Sequence, residues 1–193
     1  MDLSRVTPDV AGLQALSHPT RLGILGLLRA DGSATASSLA ARLGMNSGAT
    51  SDHLRHLAKH GFIEDDAERG NGRERWWRAA HQSTRTTSDP RSPQERDALD
   101  AFAQAIAVVH TEQLQRAVEE FGLLPEAWRS TTTTSGWGFT LTPARARALL
   151  AALEQVLEEE TEEDADDAET GSLVVQAHTF PRPGTVTPQG SGS

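Results

Sequence analysis

Residues 35–61 read Thr35-Ala36-Ser37-Ser38-Leu39-Ala40-Ala41-Arg42-Leu43-Gly44-Met45-Asn46-Ser47-Gly48-Ala49-Thr50-Ser51-Asp52-His53-Leu54-Arg55-His56-Leu57-Ala58-Lys59-His60-Gly61, and this stretch decides the fold. Leu39, Ala40 and Leu43 recur at helical spacing from a start near Thr35, and Gly44 ends that helix. The turn Gly44-Met45-Asn46 follows. A second helix runs from about Ser47 to His60, with Leu54 and Leu57 facing inward and Gly61 in the stop position. It presents Ser47, Thr50, Ser51, His53 and Arg55. Small hydroxylic side chains at a helix N-terminus suit the major groove of a duplex. They donate to phosphates, reach base edges and allow close approach.

On the N-terminal side, Thr7 and Pro8 fit an N-cap and first helical residue, opening a short helix to about Leu16. His18 precedes a proline and is biased to an extended backbone. Pro19 then opens a helix through Leu22, Leu25 and Leu28 that stops near Asp31-Gly32. On the C-terminal side the period changes. Phe62-Ile63 is a short β-like pair, and Arg75 to Ala79, with Trp76 and Trp77, reads as a second strand. Between them Gly70-Asn71-Gly72 tolerates the positive φ that a hairpin tip needs. From Arg69 to Arg85 five arginines stand against one acid, Glu74, for a net charge of +4. A cationic arm here would meet flanking phosphates or the minor groove. Arg69, Arg73 and Arg75 are its candidate contacts.

Four stretches in order carry a resemblance: Leu16-Ser17-His18-Pro19-Thr20-Arg21-Leu22; Ser38-Leu39-Ala40 with Leu43-Gly44; Thr50 to Leu57 with Gly61-Phe62-Ile63; and Gly72-Arg73 with Arg75-Trp76-Trp77. Residues 13–79 resemble the winged helix-turn-helix domain of the ArsR-type family of bacterial transcription regulators. The resemblance implies a homodimer, a recognition helix at 47–60, a wing at 64–78, and repression usually relieved by an effector. It places Ser47, Thr50, Ser51 and His53 where relatives face DNA bases or phosphates, and Arg73 and Arg75 at wing positions. Arg21 matches a structural arginine. A second family pattern holds metal with Asp and His on the dimer helix. The same spacing here falls on Asp97, Leu99, His110 and Gln113, so two of four ligands are lost. Leu99 cannot coordinate and neutral Gln113 is a poor zinc ligand. No metal site and no cofactor are expected.

Composition sets the outer bounds. Among 193 residues, 18 Lys plus Arg oppose 27 Asp plus Glu, for a net charge of −9. Spread evenly, that charge would disfavour a nucleic-acid partner. It is not spread evenly. The run Glu154 to Glu169 holds ten acids and no base, and without it the chain is +1. Zero cysteines exclude disulfides, thiolate metal sites and cysteine nucleophiles. With neither a secretory signal nor a long apolar run in view, a cytoplasmic protein is expected. There is no phosphate-binding glycine loop and no Ser/His/Asp set in a recognisable context, so an enzyme is not expected.

Beyond the hairpin, residues 81–91 are polar and read as a linker. Ser92-Pro93-Gln94-Glu95 fits a capping box before a long helix to about Phe121, stopped by Gly122. On that helix Leu99, Phe102, Ile106 and Val109 form an apolar stripe. With Leu13 and Leu16 it is the candidate dimer interface; the competing reading buries it inside one subunit. Gly136 to Leu141 alternates as a strand, Thr142-Pro143 opens another helix, and Leu173 to Phe180 is a last strand candidate. Trp76, Trp77, Trp137 and Phe139 are candidates for an effector pocket, against simple packing.

The elements predict a mostly α protein with small β elements, an α+β fold. Its parts are a winged helix-turn-helix domain (1–80), a linker (81–91), a dimerisation helix (92–122) and a strand-helix-strand region (123–180). A tail (181–193), expected to be disordered, closes the chain. The function read from these parts is sequence-specific binding of double-stranded DNA at a pseudo-palindromic operator. The protein would be a homodimeric repressor released by an unknown small-molecule effector. The alternative is a winged-helix protein-interaction module without DNA binding.

Overall fold

The computed structural model of the chain describes residues 4–69, 74–86, 89–159 and 170–186. It divides into two units, residues 1–132 and 133–193.

The first unit opens with a two-residue strand β1 (Arg5–Val6) and helix α1 (Val10–Leu16). Asp9, rather than Thr7, is the N-cap: its carboxylate accepts from Gly12 N–H at 2.7 Å. A side chain at Gly12 would come within 3.2 Å of the Phe62 ring, so α1 packs at close range on the chain after the recognition helix. Helix α2 (Pro19–Ala30) follows, with Pro at its first position and His18 as N-cap. The Arg21 guanidinium donates from Nε to the Ala15 carbonyl and from Nη2 to the Gln14 carbonyl (3.3 Å). It thereby satisfies acceptors left open at the end of α1.

Strand β2 (Ala34–Thr35) leads into α3 (Ala36–Leu43). Thr35 and Ser38 bond reciprocally as a capping box. Gly44 closes α3 in the left-handed region at φ 64°, which a Cβ-bearing residue enters only with strain. Asn46 then caps α4 (Ser47–Lys59), its side-chain oxygen accepting from Ala49 N–H at 2.8 Å. Helix, turn and helix therefore form as the sequence predicts.

Strands β3 (Ile63–Asp65) and β4 (Trp76–Ala79) pair antiparallel, with Ile63 opposite Ala79 and Asp65 opposite Trp77. β2 completes the sheet on the other side of β4, giving the order β2-β4-β3. The hairpin tip, residues 70–73, lies outside the described residues, and with it Arg73.

The segment expected as a linker contains a strand. β5 (Ser83–Thr84) pairs parallel with β1. Arg29, in the last turn of α2, holds it from the inside: Nε donates to the His81 carbonyl and Nη2 to Thr84 Oγ1, both at 2.9 Å. Burial pushes the Arg29 guanidinium down to about 10. Helix α5 (Pro93–Glu120) is capped by Ser92, which accepts from Glu95 N–H at 3.1 Å. It ends in a 3-10 turn (Phe121–Leu123), and a short α6 (Glu126–Arg129) follows.

α3 packs chiefly on α4, while α1 and α2 pack on α5. One core joins Leu13, Leu16, Ile24, Leu25, Leu28, Leu39, Leu54, Leu57, Phe62, Trp77 and Phe102. Each fully buried Leu contributes about 1.5–3 kcal/mol relative to exposure.

In the second unit α7 (Pro143–Glu159) forms as predicted, with Thr142 Oγ1 accepting from Arg145 N–H at 3.3 Å. The two strands expected beside it do not form: residues 136–141 and 173–180 pair with no strand among the described residues. Alternation supplies a face, but a strand also needs a partner for its backbone groups. Residues 160–169 of the acidic run and the tail from 187 lie outside the described residues.

Candidate nucleic-acid interface

α4 presents its polar residues unevenly. Ser47 and Gly48 are exposed at its N-terminus, and Arg55, His56 and Lys59 lie on its outer side. Ser51 is half-exposed, with its hydroxyl donating to the Ser47 carbonyl at 2.8 Å. Thr50 corrects the sequence expectation. It is fully buried, and its hydroxyl donates to the Asn46 carbonyl at 3.1 Å. Its position explains this: Thr50, Leu54 and Leu57 follow one another at four- and three-residue steps, so Thr50 lies on the inward stripe. Arg55 is exposed but ion-paired with Asp52 one turn back.

A histidine cluster covers the junction of α2 and α4. The His18 ring sits 4.8 Å from that of His53, and His56 sits 5.0 Å from His60, centroid to centroid. His53 therefore packs partly against α2. Burial first, then the neighbouring charge of Arg21, holds His18 below the usual imidazole value. Burial, His18 and Arg21 act in the same direction on His53, with Asp52 opposing. Burial, Arg21, His60 and Lys59 lower His56.

The hairpin is less cationic than the arginine tally suggests. Strand β3 and its turn bring Glu64, Asp65, Asp66 and Glu68. Residues 62–80 thus hold five acids against four arginines, for a net charge of −1. The pairing is specific. Arg75 Nε donates to Asp65 at 2.7 Å, and Arg78 Nε donates at 2.8 Å to Glu64, its directly opposed partner on β3. Arg75 also lies over the Trp77 ring at 4.1 Å, and Arg69 over the Trp76 ring at 5.9 Å. Asp66 is buried and accepts from the Ser33 hydroxyl, tying the hairpin base to the β2 approach.

The candidate effector residues belong to two different units. Trp77 is part of the core, packed with the buried leucines. Trp76, on the other face of β4, is half-buried, and its Nε1 finds no hydrogen-bond partner among the described residues. Trp137 and Phe139 belong to the second unit and are 77% and 66% exposed. No group of three or more His, Asp or Glu among the described residues is placed to hold a metal ion.

The dimer set also needs correction. Leu13, Leu16 and Phe102 are at most 5% exposed and pack inside the subunit, because α5 lies directly on α1 and α2. Leu99 and Ile106 are partly buried against the same core, and Val109 is half-buried. The exposed large apolar residues of α5 are Val108, Leu114 and Val118, and Phe121 follows in the 3-10 turn. The four- and three-residue spacing of the last three was legible in the sequence.

These elements define a winged helix-turn-helix domain followed by a long helix. Residues 16–66 match the family model described as a helix-turn-helix domain. Among solved structures, the chain aligns with that of Lactococcus lactis ZitR, a double variant in apo form. Identity is 18%, the TM-score is 0.31, and the alignment covers 72% of this chain and 80% of that chain. No curated protein sequence matches the chain. The matched domain and the fold support a DNA-binding transcription regulator. No helix among the described residues is long and apolar enough to cross a membrane.

Proposed function

We propose that the protein is a non-enzymatic, sequence-specific DNA-binding regulator of the ArsR type, acting in the cytoplasm as a homodimeric repressor. One observation carries the reading: the capped α3–turn–α4 unit leaves Ser47, Gly48 and Ser51 at the outer N-terminal part of α4, with Arg55 exposed one turn further on. That is the part of a recognition helix that meets base edges. His53 contributes at the edge of this face, and Arg69, Arg73 and Arg75 supply phosphate contacts from the wing. The subunits meet along α5 through Leu99, Ile106 and Val109, extended by Leu114 and Val118. An effector releases the operator by favouring one of two spacings between the recognition helices.

Selection of bound duplexes from a random pool with the full chain tests this reading. The expected product is an inverted repeat with half-site centres about 10–10.5 base pairs apart. A pool with no enriched sequence would overturn it.

A second reading, a protein-interaction module on the same fold, draws support from the ion pairs. Arg55, Arg75 and Arg78 each have a carboxylate partner. Phosphates would have to displace those carboxylates.

A further inference from the structure

Helix α7 lies outside the helix-turn-helix, and its sequence is Pro143-Ala144-Arg145-Ala146-Arg147-Ala148-Leu149-Leu150-Ala151-Ala152-Leu153-Glu154-Gln155-Val156-Leu157-Glu158-Glu159. Leu149, Leu150, Leu153, Val156 and Leu157 are each 37% exposed or more. At about 100° per residue these five and Ala146 fall within an arc of roughly 120°. The steps Ala146, Leu150, Leu153, Leu157 are those of a two-helix seam.

The charges on α7 run against its own dipole. Arg145 and Arg147 sit in and just after the first turn, and Glu158 and Glu159 end the helix. A lone helix favours the opposite arrangement. A second helix lying antiparallel reverses the balance, because each basic end then meets an acidic one.

We propose that α7 pairs with α7 of a second copy of this chain in antiparallel orientation. One register satisfies the apolar and the charged positions together. Ala146 falls opposite Leu157 of the second copy, and Leu150 opposite Leu153. Arg145 and Glu159 occupy one flank of the stripe, and Arg147 and Glu158 the other. Antiparallel pairing joins like flanks, so both Arg–Glu pairs close in that same register. A parallel pair would stack Arg on Arg and Glu on Glu. This surface is separate from α5, and the proposal does not depend on DNA binding.

The chain has no cysteine, so Ala146→Cys and Leu157→Cys each provide a sole thiol. The two full-length variants, one carrying a mass tag, are mixed and oxidised without DNA. The 146–157 heterodimer is expected to exceed either homodimer several-fold. Arg145→Glu with Arg147→Glu, built into both cysteine variants, is expected to cut that product several-fold at low ionic strength. Adding Glu158→Arg and Glu159→Arg to the same chains is expected to restore it, since the ends are complementary again. Predominant 146–146 and 157–157 products would overturn the proposal in favour of a parallel pair. Absence of linked dimer, or a yield unmoved by the charge changes, would overturn it outright. Dimerisation through α5 alone gives no excess of the 146–157 product that the charge changes remove and restore, so it is distinguished from α7 pairing.

Discussion

The imidazole of His18 lies 4.8 Å from that of His53, joining the N-cap of α2 to the recognition helix. The His18 side chain also serves as a cap: its Nδ1 accepts from Thr20 N–H at 3.2 Å. Protonation of Nδ1 removes that acceptor and sets a cation beside Arg21 and His53. His18, His53 and His56 are all held below the ordinary imidazole value. The unfolded chain therefore binds more protons than the folded one below about pH 6.5, and stability rises with pH through this window. Acidification from about pH 7.5 to 5.5 should lower the melting temperature. His53→Gln should flatten that dependence, because it removes one of the depressed groups. Thermal melts across the range, read as slope and not as absolute Tm, check this. Equal slopes for the two proteins would contradict it.

Thr50 and Ser51 are adjacent in sequence but should behave as different kinds of residue. Thr50→Val keeps the buried shape and removes one hydrogen bond, so it should cost about 1 kcal/mol in stability. The half-sites selected from random DNA should stay the same. Ser51→Ala should leave stability within about 0.5 kcal/mol and change the base preference or lower affinity for the selected site. Chemical denaturation together with competition binding separates the two outcomes.

The contrast shows where sequence was a sufficient guide. Caps are local, so Pro19, Gly44, Ser92 and Thr142 marked their helix ends correctly before any packing was known. Thr50 was legible too, since it precedes Leu54 by four residues and Leu57 by seven, but its hydroxyl drew it to the polar side of the reading. The β1–β5 pair was not legible: it joins two-residue strands 78 positions apart, Arg5 to Ser83, with no periodic signal in either. Arg29 was missed for the same reason, because its acceptors lie 52 and 55 residues away. The arginines from Arg69 onward overstate the charge of the wing, because the carboxylates that pair with Arg75 and Arg78 lie one strand earlier. The expected strands at 136–141 and 173–180 failed through lack of a pairing partner, which alternation alone cannot reveal.

Gly44 sets the angle between α3 and α4 from the left-handed region, with open space where a Cβ would go. Substitution there strains the backbone without a clash. Gly44→Ala should therefore cost about 1–2 kcal/mol. For a chain of this size that is roughly 2–8 °C in melting temperature. Calorimetry checks the magnitude. An unchanged Tm would mean that the turn takes another conformation in solution.

The Asp65–Arg75 pair, at 2.7 Å on an exposed edge, occupies an arginine that the proposed DNA contact would use. Exposed pairs contribute about 0–1 kcal/mol to stability, so breaking this one should hardly move the melting temperature. Asp65→Asn releases Arg75 from its carboxylate, and Asp52→Asn does the same for Arg55. If these arginines meet phosphates, each substitution should tighten binding to the selected site at low salt. The dependence of log affinity on log salt should steepen by up to about 0.9 for each further phosphate that is neutralised. Arg75→Ala should do the reverse, weakening binding to specific and unrelated duplexes by similar factors and lowering the slope by the part of about 0.9 that Arg75 supplies while still paired with Asp65. Titrations of labelled duplex over a range of salt give both quantities. If neither Asp65→Asn nor Arg75→Ala alters affinity or slope, the wing does not touch DNA, and the interaction-module reading of this domain gains the stronger position.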